Sequence, residues 1–309
     1  MSTVTLLGPQ RLSPFVGAEL SKLGVRGPVA AITAGWQERE EEDEELRIEA
    51  GVPVVNLRLY GRWDDIRRHD QDYFRAHRRR QDRLRQLRAL YQRRLNHLMA
   101  QAADLLALKG PADLIEPEQV DVIRSLRQLD SHYLGRVQAV NEEFEWTWRP
   151  GERDHIARNR REVHDQIRDC EAVLISGGHI AVLINRLRLF ALGPLLRRRP
   201  VIAWSAGAMA MTERIVLFHD TPPQGEGYAE VFEAGLGLVP GLIVLPDARH
   251  RLSLDDRSRV KLMAQRLSPS LCVPLDENQG LMWENGTVRC GDAVRCLRPD
   301  GSIIALRKC

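Results

Sequence analysis

The chain has 309 residues, of which 43% are hydrophobic and 28% charged, enough for one large α/β domain or two smaller domains with buried cores. Its net charge of +3 is small, so composition alone favours neither nucleic acid nor a membrane surface as a partner. The five cysteines are scattered and include no CxxC pair, which argues against a disulfide framework and a zinc site.

The N-terminal residues lack a basic segment followed by a long apolar run, so no signal peptide is predicted. No stretch reaches the roughly 18 apolar residues that a membrane span requires. We therefore expect a protein of the reducing cytoplasm, without a membrane partner.

Strands and helices alternate over the first 63 residues. Short apolar runs at residues 4–7, 28–33 and 53–59 predict strands, and residues 14–23 and 38–49 predict helices between them. This βαβ spacing is typical of a parallel sheet with helices on its faces.

The alternation stops at about residue 64, and the chain up to residue 150 is strongly charged and helical in pattern. Apolar residues recur every three or four positions in two segments: Leu84, Leu87, Tyr91, Leu95, Leu98, Ala102 and Leu105, then Val120, Ile123, Leu126, Tyr133, Val137, Val140 and Phe144. Gly110 and Pro111 separate the segments, so two long helices are predicted to form an antiparallel hairpin. Acidic residues are interleaved with its arginines, which favours a solvated face over a nucleic-acid surface.

The α/β pattern resumes after residue 150, with predicted strands at 172–176, 201–204, 242–245 and 272–275. Residues 280–304 predict short antiparallel strands with a turn at Asn285 and Gly286. The predicted fold class is therefore α/β, a mostly parallel sheet flanked by helices with a small C-terminal β segment. Residues 1–63 and 151–309 form the main domain, and residues 64–150 form the inserted helical hairpin.

Ser205 directly follows the predicted strand 201–204, and three very small residues, Ala206, Gly207 and Ala208, open a helix after it. A serine on such a strand-to-helix turn presents its hydroxyl in the open, and the helix N-terminus favours a developing negative charge nearby. The alternative is an ordinary βα junction at which the serine caps the helix.

A serine nucleophile needs a base, a group that orients the base, and donors for the oxyanion. Gly178, Ser205 and the loop that holds His250 each follow a predicted strand, so we expect them to share one edge of the sheet. The N–H groups of Gly178 and Ala206 are candidate oxyanion donors. Three histidines are candidate bases: His179, His219 and His250.

Four segments together resemble the peptidase S51 family, which includes dipeptidase E and cyanophycinase. They are Gly177–His179, Ala203–Ala208, Asp247–His250 and Leu275–Gly280. The resemblance covers about residues 1–63 and 151–290 and leaves out the hairpin. It implies the class I glutamine amidotransferase-like fold, which is flavodoxin-like.

The resemblance also implies a serine hydrolase. In it, Ser205 is the nucleophile, His250 the base and Asp220 the acid that orients the imidazole, while Gly178 and Ala206 hold the oxyanion. The amidotransferases of this superfamily carry cysteine at the elbow, so a serine there argues against glutamine hydrolysis.

The sequence departs from the family pattern at two positions. His179 stands where asparagine is common, and Arg251 stands where phenylalanine is expected after the histidine. Asp247 also sits one residue further from His250 than the family motif has it. His219 therefore stays open as the base.

The expected function is cleavage of small peptides or isopeptides through an acyl-enzyme, with no cofactor and no metal. The alternative is a non-catalytic binding or scaffold protein that keeps the fold and uses the hairpin for a partner or for a homodimer. A hairpin that acts as a lid over a peptidase site is compatible with the first hypothesis.

Overall fold

A computed structural model of the chain describes residues 3–220 and 227–308, which form thirteen strands and eleven α-helices. The strands are β1 (Val4–Leu7), β2 (Val29–Ile32), β3 (Val54–Asn56), β4 (Ala172–Ile175), β5 (Val201–Trp204), β6 (Arg214–Leu217), β7 (Glu230–Ala234), β8 (Leu242–Pro246), β9 (Leu271–Leu275), β10 (Gly280–Glu284), β11 (Thr287–Cys290), β12 (Arg295–Leu297) and β13 (Ile303–Ala305). The helices are α1 (Val16–Lys22), α2 (Glu44–Ala50), α3 (Leu59–His69), α4 (Gln71–Ala107), α5 (Ala112–Trp148), α6 (Asp154–Arg168), α7 (Ile180–Leu189), α8 (Gly193–Leu196), α9 (Ala206–Met211), α10 (Ala248–Arg251) and α11 (Arg257–Leu267).

The predicted α/β class is confirmed. The main sheet has the order β11-β10-β1-β5-β4-β2-β3, and its five strands from β1 to β3 are parallel. Their apolar runs are buried, as expected for strands with both faces covered by helices. The strands β10 and β11 extend this sheet as an antiparallel hairpin, whose turn at Asn285 and Gly286 has positive φ at both residues.

The later strands belong to a second sheet of order β13-β12-β9-β8, in which β8 and β9 are parallel. The strand before His250 therefore lies in a different sheet from the strand before Ser205, and the single shared edge expected from the sequence is not present. A further two-stranded sheet, β6 with β7, was not predicted because a long connection rather than a tight turn joins its strands.

The segment after β2 also differs from the predicted helix at 38–49. A 3-10 turn spans Ala34–Arg39, and α2 begins only at Glu44. The physical reason is Glu40, whose buried carboxylate accepts hydrogen bonds from the N–H groups of Tyr60 and Gly61 at 2.9 Å each. Glu40 thus caps α3 instead of continuing a helix of its own.

The predicted hairpin is formed by α4 and α5, each of 37 residues and about 55 Å long. Most of the predicted stripe is buried between the two helices, and the rings of Tyr91 and Tyr133 stack at 4.2 Å. Val120 is an exception, since its side chain is exposed near the tip. The helix α5 begins at Ala112, directly after Pro111.

The hairpin is fixed to the main domain by a buried ion pair. Arg266 of α11 donates to Asp130 of α5 at 2.7 and 2.8 Å, and Tyr91 of α4 donates to the same carboxylate at 2.8 Å. Burial alone would lower the pKa of Arg266, but the hydrogen bonds and charge of Asp130 raise it. The backbone N–H of Val231 in β7 donates to the Tyr91 hydroxyl, so four elements meet at this contact.

The two ends of the hairpin are held where they leave the main domain. Asp70 accepts a hydrogen bond from the N–H of Tyr73, which caps α4, and it also pairs with Arg153 just before α6. The hydrogen bond from Arg153 lowers the pKa of Asp70. The hairpin is therefore a packed part of the molecule along much of its length.

Cys170, Cys272 and Cys290 are free, whereas Cys296 is disulfide-bonded. This bond is not the disulfide framework that the sequence argued against, although a disulfide is uncommon in the reducing cytoplasm that we expected. Burial raises the pKa of Cys272 to about 12, so this thiol stays protonated. Across the described part of the chain, no helix is long and apolar enough to cross a membrane.

Candidate active site

Ser205 occupies a sharp turn between β5 and α9. Its φ of 50° and ψ of −120° lie in a region that residues with a side chain rarely adopt. Its backbone N–H donates to the carbonyl of Leu7 in β1 at 3.2 Å, which anchors the turn to the neighbouring strand. The serine side chain makes no capping hydrogen bond to α9. The ordinary capped junction is therefore not what the chain forms here, and the strained turn is of the kind found at nucleophile elbows.

Two glycines allow this turn to be so tight. A Cβ atom on Gly207 would lie 2.3 Å from the carbonyl oxygen of Ile175, so α9 approaches the end of β4 at backbone contact. A Cβ atom on Gly177 would lie 2.8 Å from the Cβ atom of Ser205. Any larger residue at either position would push the elbow away from the strand ends.

The predicted oxyanion donors lie beside the serine. Gly178 has a φ of 105° and packs against the carbonyl of Gly35, and both Gly178 and Ser205 line one cavity. Ala206 is the first residue of α9, where a helix leaves its N–H groups without intrahelical partners. Within residues 3–220 and 227–308, neither the Gly178 nor the Ala206 N–H donates a hydrogen bond.

The cavity at Ser205 has a volume of about 570 Å³. Trp204 and Trp36 supply apolar walls, and the residues of the opposite side are charged: Arg11, Arg39, Glu42, Glu45 and Glu49. Arg39 and Glu42 pair with each other at 2.6 Å, and that hydrogen bond raises the pKa of Arg39. The cavity can therefore accept a small polar molecule that carries charges of both signs.

His250 lies on the short helix α10, and its Nδ1 atom is 2.6 Å from Oδ1 of Asp247. The side chain is 61% exposed, and it is not among the residues that line the Ser205 cavity. Among the described residues the imidazole makes no hydrogen bond to Ser205. The predicted contact between base and nucleophile is therefore not formed in this conformation.

The loop after β9 connects α10 to the region of the elbow. The backbone N–H of Arg249 donates to Oδ1 of Asp276 at 3.1 Å. The carbonyl of Asp276 packs directly on Gly8, where a Cβ atom would come within 1.9 Å of it. Gly8 follows Leu7, the residue that anchors Ser205, so α10 is linked to the serine through Asp276, Gly8 and Leu7.

The structure places Asp247, not Asp220, against the imidazole of His250. The Asp220 carboxylate instead accepts the N–H of Ser253 at 2.7 Å and lies 3.6 Å from Arg259. The Asp220 N–H donates to the carbonyl of Arg251. Asp220 thus fixes the backbone that follows α10. Glu226, an acid six positions further along the chain, lies outside the described residues.

The other two histidines have different surroundings. His179 caps α7, since its Nδ1 atom accepts the N–H of Val182 at 3.3 Å. The Nδ1 atom of His219 is inaccessible to solvent and has no hydrogen-bond partner in the part of the chain described. Neither histidine lines the Ser205 cavity.

The sequence analysis did not identify Asp247 as the partner of His250, although both residues belong to one of the segments that resemble the family. A spacing of three residues on a helical turn places two side chains on one face, and this was the available signal. The charged residues Arg11, Glu45 and Glu49 of the Ser205 cavity could not be predicted from the sequence, because they come from two segments that only the folded chain brings together.

One group of three side chains in the described ranges could hold a metal ion. Asp65, His69 and His155 offer ligand atoms that all lie within 4.8 Å of one another. The two rings stack at 4.6 Å, and the guanidinium of Arg158 lies 3.2 Å from Nδ1 of His155, so a cation already faces the group. None of these residues lines the Ser205 cavity.

The family model of peptidase family S51 matches residues 125–291, which is more than half of the chain and includes the elbow, α10 and the loop after β9. The chain belongs to peptidase family S51. The match begins within α5, so the region that the family model describes includes most of α5 and none of α4.

Two solved structures are similar to this S51 chain. One is a peptidase from an acI-B1 Actinobacterium, with 14% identity, a TM-score of 0.48, and coverage of 99% of this chain and 97% of that one. The other is a peptidase E-like protein from Listeria monocytogenes EGD-e, with 12% identity, a TM-score of 0.44, and coverage of 94% and 98%. No curated protein sequence matches the chain.

Proposed function

We propose that this S51 chain is a serine peptidase that cleaves small peptides or isopeptides through an acyl-enzyme. The observation that carries the proposal is the strained turn at Ser205, whose hydroxyl is not used as a helix cap. Strain of this kind persists where the surrounding structure holds it, and it is common at reacting groups.

In the proposed mechanism, the Ser205 hydroxyl attacks the scissile carbonyl and His250 accepts its proton. Asp247 holds the imidazole through Nδ1, which leaves Nε2 for the serine. The N–H groups of Gly178 and Ala206 stabilise the oxyanion, His250 returns the proton to the leaving amine, and water then hydrolyses the acyl-enzyme.

The mechanism requires His250 to reach Ser205 when a substrate is bound. The side chain is exposed, and Asp247 is its hydrogen-bond partner. Catalytic hydrogen bonds are often long before substrate binds and shorten in the complex. The cavity of about 570 Å³ limits the substrate to a few residues, consistent with cleavage of small peptides.

The test is covalent labelling by a fluorophosphonate probe. We expect the wild-type chain to be labelled and Ser205→Ala to be unlabelled, because the probe reacts only with an activated serine. Ser131→Ala is the matched control, since Ser131 is exposed on α5 and should label as the wild type does. Labelling of Ser205→Ala at the wild-type rate would contradict the proposal.

A second candidate function follows from the exposure of His250 outside the cavity. The chain would then be a non-catalytic protein that keeps the S51 fold and uses the hairpin to bind a partner or a second copy of itself. Absence of labelling in the wild type, together with no cleavage of a dipeptide library, would favour this function. Sedimentation of the full chain would then establish whether it forms a homodimer.

A further inference from the structure

A second cavity, of about 530 Å³, lies between the helical hairpin and the main domain. Its walls come from α4, α5, α7, the turn before α8, and β7, and it shares no lining residue with the Ser205 cavity. Its volume is in the range of sites for small organic ligands. Its apolar surface comes from leucines, a valine and a proline: Leu134, Val137, Leu187, Leu189, Leu192, Pro194 and Leu236.

Arg80 is the first unusual feature of this cavity. Its guanidinium donates to Oδ1 of Asn185 at 3.0 Å and lies 4.3 Å from the centre of the Phe144 ring. Its Nε atom is inaccessible to solvent and has no hydrogen-bond partner, and no carboxylate among the described residues lies within ion-pair distance. Burial lowers the pKa of Arg80. Arg80 is partly buried, and a cation withdrawn from water is paired as a rule, because an unpaired one is costly.

Glu145 is the second charged residue of this cavity without a partner, and its side chain is exposed. It lines the same cavity, and its carboxylate makes neither a hydrogen bond nor an ion pair with any residue that the structure describes. Partial burial raises its pKa. The charge of Glu145 acts on Arg80 at a distance, but the two groups do not form an ion pair.

The other charged groups of the cavity are already satisfied. Glu233 accepts hydrogen bonds from Arg188 and from Asn141. Glu142 accepts from Gln138 at 2.7 Å. Burial lowers the pKa of His77 well below its ordinary value, so this ring is neutral and offers no counter-charge. A partly buried cation and an exposed anion, neither of them in an ion pair, therefore line the same largely apolar cavity.

We propose that this cavity binds a small zwitterion, an α-amino acid or dipeptide with an apolar side chain. The carboxylate of the ligand pairs with Arg80, its ammonium group pairs with Glu145, and its side chain packs on the leucine-rich wall. A phosphate is disfavoured because three glutamates line the same cavity, and they would repel a dianion. Such zwitterions are the product class of a peptidase, so the site would serve as a product sensor next to the hairpin.

The experiment is calorimetric titration of the full chain carrying Ser205→Ala, which prevents turnover and makes the result independent of the proposed peptidase activity. The probes are leucine, leucyl-leucine, leucinamide and inorganic phosphate. We expect saturable binding of leucine or leucyl-leucine, and weaker binding of leucinamide by about tenfold or more, because it lacks the carboxylate.

Arg80→Gln should weaken binding of leucine by about tenfold or more, since a charge-assisted hydrogen bond is lost. Arg79→Gln is the matched control, because Arg79 is exposed one residue away and should bind leucine as the parent does. Glu145→Gln is the second variant, chosen because its partly exposed position on α5 tolerates substitution, and it too should weaken binding. The proposal is overturned if no probe binds saturably, if phosphate binds more tightly than leucine, or if folded Arg80→Gln and Glu145→Gln both bind leucine as the parent does.

Discussion

Ser205 is held in its turn by neighbours on three sides rather than by its own preference. β1 fixes its N–H, Gly177 lies against its Cβ atom, and Gly207 lets the following helix pass the end of β4. A serine placed in this way cannot relax into the capped junction that its type would favour in isolation. The reactive character that we propose for Ser205 is thus a property of its backbone setting.

The contact between His250 and Asp247 allows a test of which acid, Asp247 or Asp220, orients the imidazole. Asp247→Asn should lower kcat for dipeptide cleavage by about 10²-fold or more, because the amide no longer holds the imidazole in the tautomer that accepts the serine proton. Asp220→Asn should change kcat much less, since its carboxylate binds a backbone N–H and not the ring. Steady-state kinetics on both variants gives the comparison. A larger loss in Asp220→Asn would return the orienting role to that residue.

The sequence could predict some of these residues and not others for a physical reason. Ser205, Gly178 and Ala206 follow parallel strands of one sheet, and strand order places their carboxyl ends together. His250 follows a strand as well, but periodicity does not tell which sheet a strand joins, and β8 joins the second one. The role of Asp220 was assigned from its distance along the sequence from Ser205, and distance along the sequence does not determine distance in space.

At the scale of secondary structure, the short helix α9 depends on close contact with β4. All six of its residues are buried, and it packs between the main sheet and β8. The intrinsic helix propensity of these residues contributes little to the stability of α9, because a helix of six residues is not stable on its own. Its position is set by the absence of a side chain at Gly207.

Gly207→Ala should therefore destabilise the chain by about 1–3 kcal/mol, because the added methyl group would lie 2.3 Å from a backbone oxygen that cannot rotate away. Labelling of Ser205 should fall at the same time. Gly193→Ala is the control, since its Cβ atom would meet nothing within 4 Å. Thermal unfolding measures both variants, and equal melting temperatures would mean that α9 can shift without cost.

The regular elements could be predicted where the local pattern and the packing agree. The buried strands β1, β2, β4 and β5 and the hairpin helices α4 and α5 are close to their predicted ranges. The predicted helix at 38–49 was wrong over residues 38–43. Glu40 there binds the N-terminus of α3, a contact across 20 residues that no local pattern reveals. The sheet of β6 and β7 was missed for the same reason, since each strand is defined by its partner.

At the scale of the whole molecule, the buried pair of Arg266 and Asp130 joins the hairpin to the main domain. Arg266 is 2% exposed, and its neighbours Tyr91 and Met99 belong to α4. The hairpin cannot swing open as a lid about this point without leaving a charge unpaired in an apolar setting. If the hairpin limits access to a site, it does so as a fixed wall.

Breaking this pair should be costly, whereas replacing it should not be. We expect Arg266→Met to lower the free energy of unfolding by about 3–5 kcal/mol, because Asp130 is left as an uncompensated buried charge. Adding Asp130→Leu should restore much of the loss, since two apolar side chains can pack where the ion pair was. Urea denaturation of the single and double variants measures the difference. A double variant no more stable than the single one would contradict this account.

The same contact bears on how such a chain can be recombined. A hairpin whose removal leaves a buried charge unpaired is not an interchangeable module, even though its two ends lie close together. Grafting residues 71–148 onto a related peptidase would need a partner for Asp130, and excising them would need a substitute at Arg266. Recombination that transfers the hairpin alone is therefore expected to destabilise the product. We expect substitutions at Asp130 and Arg266 to occur together in related chains.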